Sequence, residues 1–496
     1  MVKIRIVNTR SKAKAVQAIK YQNNKRIILK HFGSAHNDEE LNELLAIAKE
    51  WSIDYVGQMF LFSDEDPNKI FNINHCAFIG VWYHFFYQSF TDIIWEMGYK
   101  DIIGLLKDLV IIRMFEPASK LRSIELIEQY FGIKHRRQKF YDQAKKWLEL
   151  KLKIEQTTIE FAKKHYNFNF DLLFYDVTTL YFETFEEDEL RRNGFSKDNK
   201  SQQPQILIAL MVTKEGFPVA YEVFSGNTFE GKTILPVVKN FIKKHNARNF
   251  TIIADAAMIS TENVKNLIEN KINYIVGARL GNVSKETLEA IDKSLSREDA
   301  KTIRLKTDKG FLICSFSNVR YRKDKFEMEK QIEKAKAIVE NPSKNPKTKF
   351  TKKVSDDKFE INHELIDKTK KLLGIKGYYT NLEEKIASNQ LVIQRYHELY
   401  KIEQAFRISK SDLQTRPIFH FKEEPIKLHV LICFIALVVS KHVELKTGVS
   451  IKKFTHECKK ITSGRILNQI TNKEMILKAQ PNQQMLEYLS KIVAPH

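Results

Sequence analysis

The chain has 496 residues, room for roughly three domains, and its 81 Lys and Arg against 61 Asp and Glu leave a formal charge of +20. A surplus of this size favours a phosphate-rich polyanion or an anionic membrane face as partner. With 33 Phe, 18 Tyr and 43% hydrophobic residues it is not a disordered basic tail. The four cysteines, Cys76, Cys314, Cys433 and Cys458, form no CxxC pair, which argues for inert thiols rather than a zinc site. MVKIRIVNTRSKAK lacks the apolar stretch of a secretory signal. The longest apolar run, VLICFIALVVS from Val430 to Ser440, is too short for a bilayer and reads as a buried helix. A soluble protein of a reducing cytoplasm is expected, with no membrane partner.

In chain order, residues 1–55 read as a small hairpin plus a helix. VKIRIVN and VQAIKYQ-NN-KRIILKHFG alternate as strands around a turn at Asn23-Asn24, and Asn37-Asp38-Glu39-Glu40 opens an amphipathic helix through Trp51. Residues 56–165 read as helical and as the region that binds DNA. IIGLLKDLVIIRMF and SKLRSIELIEQYFG, split by Glu116-Pro117, fit either a helix-turn-helix or a plain bundle, and His135-Arg136-Arg137-Gln138-Lys139 adds a basic cluster.

From 169 the period changes to that of strands. FDLLFYDVT reads as a strand ending at Asp176. QILIALMV and FPVAYEVF flank a Lys214-Glu215-Gly216 turn; TILPVVKNFIKKH is a helix, FTIIADA a buried strand, TENVKNLIEN a helix and INYIVGARL a further strand. This order predicts a multidomain α/β protein whose mixed sheet has helices packed against it. Residues 166–282 supply the first part of that core. Residues 283–380 form an insertion subdomain, with a hairpin (KTIRLKTDKGFLICSFSNV), a charged helix and a Lys-rich basic segment over 322–353. Residues 381–445 complete the core, and 446–496 form a helical, basic tail.

LVIQRYHELYKIEQAFRISKS, from Leu391 to Ser411, reads as one helix whose apolar stripe collects Val392, Tyr396, Leu399, Tyr400, Phe406 and Arg407. Glu403 falls in the middle of it, costly unless its charge is compensated. A salt bridge to Arg407 or Lys410 is the bland account. Asp176 and Asp255 each follow an apolar run, LLFY and TIIA, at the kind of strand end where open sheets place ligands. Asp176 could be a turn cap, but Ser260 or Thr261 is the better cap for ENVKNLIEN, which leaves Asp255 without that duty. Three carboxylates and no nucleophilic side chain suit phosphoryl transfer assisted by two Mg²⁺ ions, with Mn²⁺ as a substitute.

In this order the residues resemble the DDE triad of bacterial insertion-sequence transposases, whose catalytic core is RNase H-like. The likeness spans 166–445. Tyr396, Glu403 and Lys410 also match the Tyr-x2-Arg-x3-Glu-x6-Lys signature of the insertion-sequence-four branch, while Leu399 stands where that signature has Arg. Lys401 or Arg407 could supply the missing charge, although Lys401 faces the other way on the predicted helix.

The resemblance implies catalytic and metal-binding roles for Asp176, Asp255 and Glu403, and DNA contacts at Tyr396, Lys410, Arg407 and Arg416. It leaves His420 of RPIFHF open between packing and DNA contact. It further implies an endonuclease and strand transferase of DNA recombination, acting on double-stranded transposon ends with terminal inverted repeats and on target DNA. A homodimer in the synaptic complex and a bacterial, nucleoid-associated location belong to the same expectation. An RNase H-like nuclease or resolvase would use the same carboxylates without the Tyr-Glu-Lys helix. A non-catalytic DNA-binding protein derived from a transposase would not need all three.

Overall fold

Near-continuous apolar runs make strands that are covered on both faces, and QILIALMVT is buried at every position. The computed structural model of the protein describes residues 2–9, 11, 13–22, 25–56, 76–195, 202–247, 250–258, 260–340, 348–355, 358–469 and 472–493. It divides into two units: 1–89 with 128–133 and 456–487, and 90–127 with 134–455 and 488–496.

The larger unit is built on eight strands, β1 (Leu172–Tyr181), β2 (Gln205–Thr213), β3 (Pro218–Ser225), β4 (Thr251–Ala254), β5 (Asn273–Ala278), β6 (Thr302–Thr307), β7 (Gly310–Phe316) and β8 (Ile375–Thr380). Their order is β6-β7-β8-β5-β4-β1-β2-β3. β1, β2 and β3 form an antiparallel meander, β4 and β5 are parallel to β1, and β8 returns antiparallel to β5. The hairpin expected within 283–380, β6 and β7, therefore extends the main sheet through β8. Beyond the sheet in that segment stand the helix Lys285–Ser294, the long helix Asn318–Glu340, the hairpin Thr351–Ser355 with Lys358–Ile361, and the helix His363–Leu372. The last three share a small core of Met328, Ala335, Phe350, Ile366 and Leu373.

The helices of this unit that bear on the site are α1 (Leu105–Phe115), α2 (Ile234–His245), α3 (Thr261–Glu269), α4 (Asn389–His397), α5 (Tyr400–Arg407) and α6 (Glu423–Thr447). α1 is buried at every residue and packs on α6. The first helix of the expected helix-turn-helix is thus core, and presents no face to a DNA groove. α6 contains the run Val430–Ser440. It is long and apolar enough to cross a membrane by length and composition, and 94% of its most apolar window is buried inside the protein, the burial of a core helix. Against the sheet it sets Phe434 on Tyr221, ring centroids 4.8 Å apart.

In the smaller unit, three antiparallel strands, Val2–Asn8, Lys14–Gln22 and Lys25–Ala35, are covered by the helix Asp38–Val56. Val16, Ala35, Leu41, Leu44 and Ala48 form their core. The Asn23-Asn24 turn lies outside the described residues, although Gln22 and Lys25 pair across it. The helix starts at a capping box: Glu40 N–H donates to Asn37 Oδ1, and His36 N–H donates to Glu40 Oε2.

Residues 446–496 are not purely helical as expected. Ser463–Asn468 and Lys473–Lys478 form a hairpin whose inner strand pairs with Cys76–Trp82, a strand within the region expected to be helical. Each of these runs is only six or seven residues long. Their partner comes from the far end of the chain, so local patterning does not reveal it.

Candidate active site

β1 does not end at Asp176. It runs on through Val177-Thr178-Thr179-Leu180-Tyr181, paired with Ala209 to Gln205 of β2, so the aspartate sits in mid-strand. The β-branched residues after it favour the extended backbone and carry the strand past the carboxylate. Alternation then sorts the two faces. Tyr175 points to the α2 side, where its hydroxyl donates to Thr233 Oγ1 at 2.7 Å. Its ionisation is pushed far up, by burial first and then by the Asp176 and Glu230 carboxylates. Thr178 and Leu180 share the opposite face with Asp176, and there they meet Phe406 of α5 and Phe434 of α6.

β4 brings the second aspartate beside the first. Tyr175 pairs with Ala254 in parallel register, so the next residues along, Asp176 and Asp255, are neighbours across adjacent strands. Asp255 opens a tight 3₁₀ turn, Ala256–Met258. Its Oδ1 accepts the Ala256 N–H at 2.6 Å and the Tyr396 hydroxyl at 3.3 Å. The cap of α3 is Ser260, which accepts from Asn263 N–H at 3.0 Å. Asp255 is therefore free of capping duty, and among the described residues it has no cation within ion-pair reach. Asp176 Oδ1 accepts its neighbour Val177 N–H at 2.7 Å.

The expected single helix Leu391–Ser411 is three pieces. α4 ends at His397 and α5 begins at Tyr400. Between them Leu399 N–H donates to Tyr396 O, Lys401 to Glu398 and Ile402 to Leu399, three-residue spans that tighten the turn. Beyond α5, Ile408–Asp412 forms a π-turn closed by Leu413 N–H to Ile408 O. This shifts the stripe. Ile402, Ala405, Phe406 and Ile408 are the buried positions, Tyr400 is half exposed, and Glu403 stands at the exposed border of the face. Glu403 makes no hydrogen bond or ion pair to any described residue, so the bland account, a salt bridge to Arg407 or Lys410, does not hold.

Tyr396 ties the pieces together. Burial raises its pKa most, followed by the Asp255 carboxylate and its hydrogen bond, then Tyr378 and Glu403. The ring reaches Asp255 by crossing Gly277 of β5, where a Cβ would lie 2.5 Å from the Tyr396 hydroxyl. Behind it Tyr378 packs edge-on at 4.9 Å and shares a 3.1 Å hydrogen bond with His397. Tyr396 also lines a cavity of about 470 Å³, together with Ala256, Gly277, Tyr378 and residues of Asn318–Glu340 and His363–Leu372.

The other DNA-contact candidates stand in different settings. Lys410 is partly exposed within the π-turn, out of simple helical phase with Glu403. Arg407 is exposed and within electrostatic reach of Asp412. Arg416 precedes a cis peptide to Pro417, with its guanidinium 5.6 Å from the centre of the Tyr181 ring. His420 is a packing residue, stacked on Phe140 at 5.5 Å and held down to about 4 by burial, with Lys120 and Arg113 adding to the effect. Leu399, at the position of the signature Arg, is 8% exposed and belongs to the core. Lys401 donates to Lys214 O at 2.6 Å and cannot stand in for that Arg. Sequence reasoning missed Gly277 and Glu230. The first shows itself only through the ring that crosses it, and the second only through its effect on Tyr175.

Among the described residues no three His, Cys, Asp or Glu side chains cluster closely enough to hold a metal ion as they stand. The donor set nevertheless fits a hard divalent cation. It consists of carboxylate oxygens from adjacent strands and an unpartnered glutamate, with no thiol or imidazole in it.

A large mixed sheet with helices on both faces is consistent with a transposase catalytic fold. Residues 168–439, more than half of the chain, match the family model described as "Transposase DDE domain", and the protein belongs to that family. No curated protein matches it. Among solved structures it is similar to that titled "Cryo-EM structure of piggyBac transposase synaptic complex with hairpin DNA (SNHP)", at 12% identity and a TM-score of 0.36, over 83% of this chain and 79% of that one.

Proposed function

We propose that the protein is a DNA transposase that cuts a strand at each terminal inverted repeat of its element and joins the freed end to target DNA. The observation that carries this reading is the adjacency of Asp176 and Asp255 on parallel strands, with an unpartnered Glu403 on the helix covering the same face. The β3-β2-β1-β4-β5 portion of the sheet supports an RNase H-like core. Tyr396, Glu403 and Lys410 support the insertion-sequence branch that carries the Tyr-Glu-Lys signature.

Asp176, Asp255 and Glu403 would hold divalent magnesium, which when bound stabilises charge on the attacking and leaving oxygens of phosphoryl transfer. The chain's own part is to fix these carboxylates. The strands would position the first two, and the buried Ile402, Ala405 and Phe406 hold α5 with Glu403 on its exposed side. Lys410, Arg407 and Arg416 would grip phosphates around the scissile one, and the basic 322–353 segment would follow the backbone. A chain of +20 needs no other partner to account for its charge. Synapsis of two ends by a homodimer belongs to the same reading.

The test is Asp255→Asn. Inverted-repeat binding should stay within a few-fold of wild type, while Mg²⁺-dependent nicking falls by about two orders of magnitude or more. Nicking at the wild-type rate would make Asp255 a structural residue and remove the basis of the reading.

A further inference from the structure

Asp255 Oδ1 already has two donors. The Ala256 N–H, at 2.6 Å, is fixed by the backbone of the 3₁₀ turn. The Tyr396 hydroxyl, at 3.3 Å, arrives from another helix on a side chain that lines the cavity of about 470 Å³. A carboxylate oxygen offers about two lone-pair directions, so a cation that engages Oδ1, alone or chelated together with Oδ2, must evict one of the two. The backbone donor cannot leave without unwinding the turn. The longer bond is the one that yields.

We propose that Tyr396 is a positioning residue that competes with a divalent cation for Asp255: its hydroxyl holds the carboxylate while the cation is absent and swings clear when the cation binds. This rests on reading Asp255 as a cation ligand.

Two features suit the arrangement. Gly277 leaves the ring a path across β5 that any side chain would close. The edge-on contact with Tyr378, itself tied to His397, gives the ring a pivot that needs no hydroxyl. The consequence is a set cation affinity: each binding event that engages Oδ1 must first break one hydrogen bond.

The experiment is Mn²⁺ titration of the full chain without DNA, by calorimetry, on wild type, Tyr396→Phe, Gly277→Ala and Asp255→Asn. Tyr396→Phe keeps the ring and its Tyr378 contact and removes only the competitor. Its affinity at the Asp255-dependent site should rise by about three- to tenfold, the worth of one ordinary hydrogen bond. Gly277→Ala places a methyl only 2.5 Å from the hydroxyl, which must move away, and should shift affinity in the same direction. A ring that was merely structural would lower affinity when altered. Unchanged or weaker binding in Tyr396→Phe, with binding lost in Asp255→Asn, overturns the competition and leaves the site standing. Wild-type binding in Asp255→Asn overturns the site reading, and the competition falls with it.

Discussion

The parallel pairing of Tyr175 with Ala254 is the last of its ladder, so Asp176, still within its strand, and Asp255, the first residue past the neighbouring strand, follow it on adjacent chains. Glu403 differs in kind: it is exposed and bonded to nothing among the described residues. Removing its charge should therefore cost the fold nothing while it disables the site. In Glu403→Gln, unfolding stability measured with denaturant should stay within about 0.5 kcal/mol of wild type, and nicking should fall about a hundredfold or more. Equal nicking would make Glu403 an ordinary surface residue.

Acid should destabilise the larger unit well before its carboxylates titrate. Burial, chiefly, holds His420 down to about 4 and His442 to about 3. His420 faces the Phe140 ring, Lys120 and Arg113. His442 bonds Tyr166 at 2.8 Å and has Lys446 and His165 nearby. Their folded values lie below the ordinary histidine value near 6.5, so on acidification the unfolded chain takes up protons first. Stability is then full above about pH 6.5 and declines below it, until the folded values are reached. From pH 6.5 to 5 the loss is about 2 kcal/mol for each of the two. Denaturation midpoints at pH 7 and pH 5 measure it, and a midpoint that holds or rises on acidification contradicts it.

Restoring the signature Arg should harm this protein. Leu399 lies in the tightened turn between α4 and α5, 8% exposed, and is followed by the buried Ile402. Leu399→Arg would bury a charge with no partner, at about 3 kcal/mol or more. Thermal unfolding should show a large drop and strand cleavage no gain. A variant as stable as wild type with higher activity would show that position 399 turns toward DNA.

Much of the larger unit was legible in the sequence, because strands buried on both faces write themselves as apolar runs, and the order of runs and helices limits the topology. Asp255 was visible for the same reason, as a charge directly after TIIA. Asp176 looked like a strand end because a carboxylate within a buried strand is costly. Only the structure shows that its face opens toward α5. The break at Glu398–Leu399 and the π-turn after Arg407 could not be read, since neither stretch holds a Gly or Pro to mark it and tertiary packing of Ile402, Ala405 and Phe406 decides the phase. The contact between Tyr396 and Asp255 spans 141 positions and needs the hole at Gly277. No periodicity encodes it.

Lys410 separates a transposase from a nuclease that shares its carboxylates. The π-turn that carries it widens the helix right after the Glu403 stretch, a device common at functional sites. It leaves Lys410 partly exposed, one segment beyond α5 and within the stretch that resembles the signature. A lysine that grips a phosphate beside the scissile one contributes one counterion to end binding and holds the end still for the second chemical step. Lys410→Ala should then lower the salt slope of inverted-repeat binding by about 0.9. It should impair strand transfer from pre-cleaved ends more than it weakens binding. Both are measured on the same DNA, binding against salt concentration and joining to a target plasmid. If slope and joining both match wild type, Lys410 is a surface residue of a nuclease, and the end-holding role assigned to the Tyr-Glu-Lys stretch is lost.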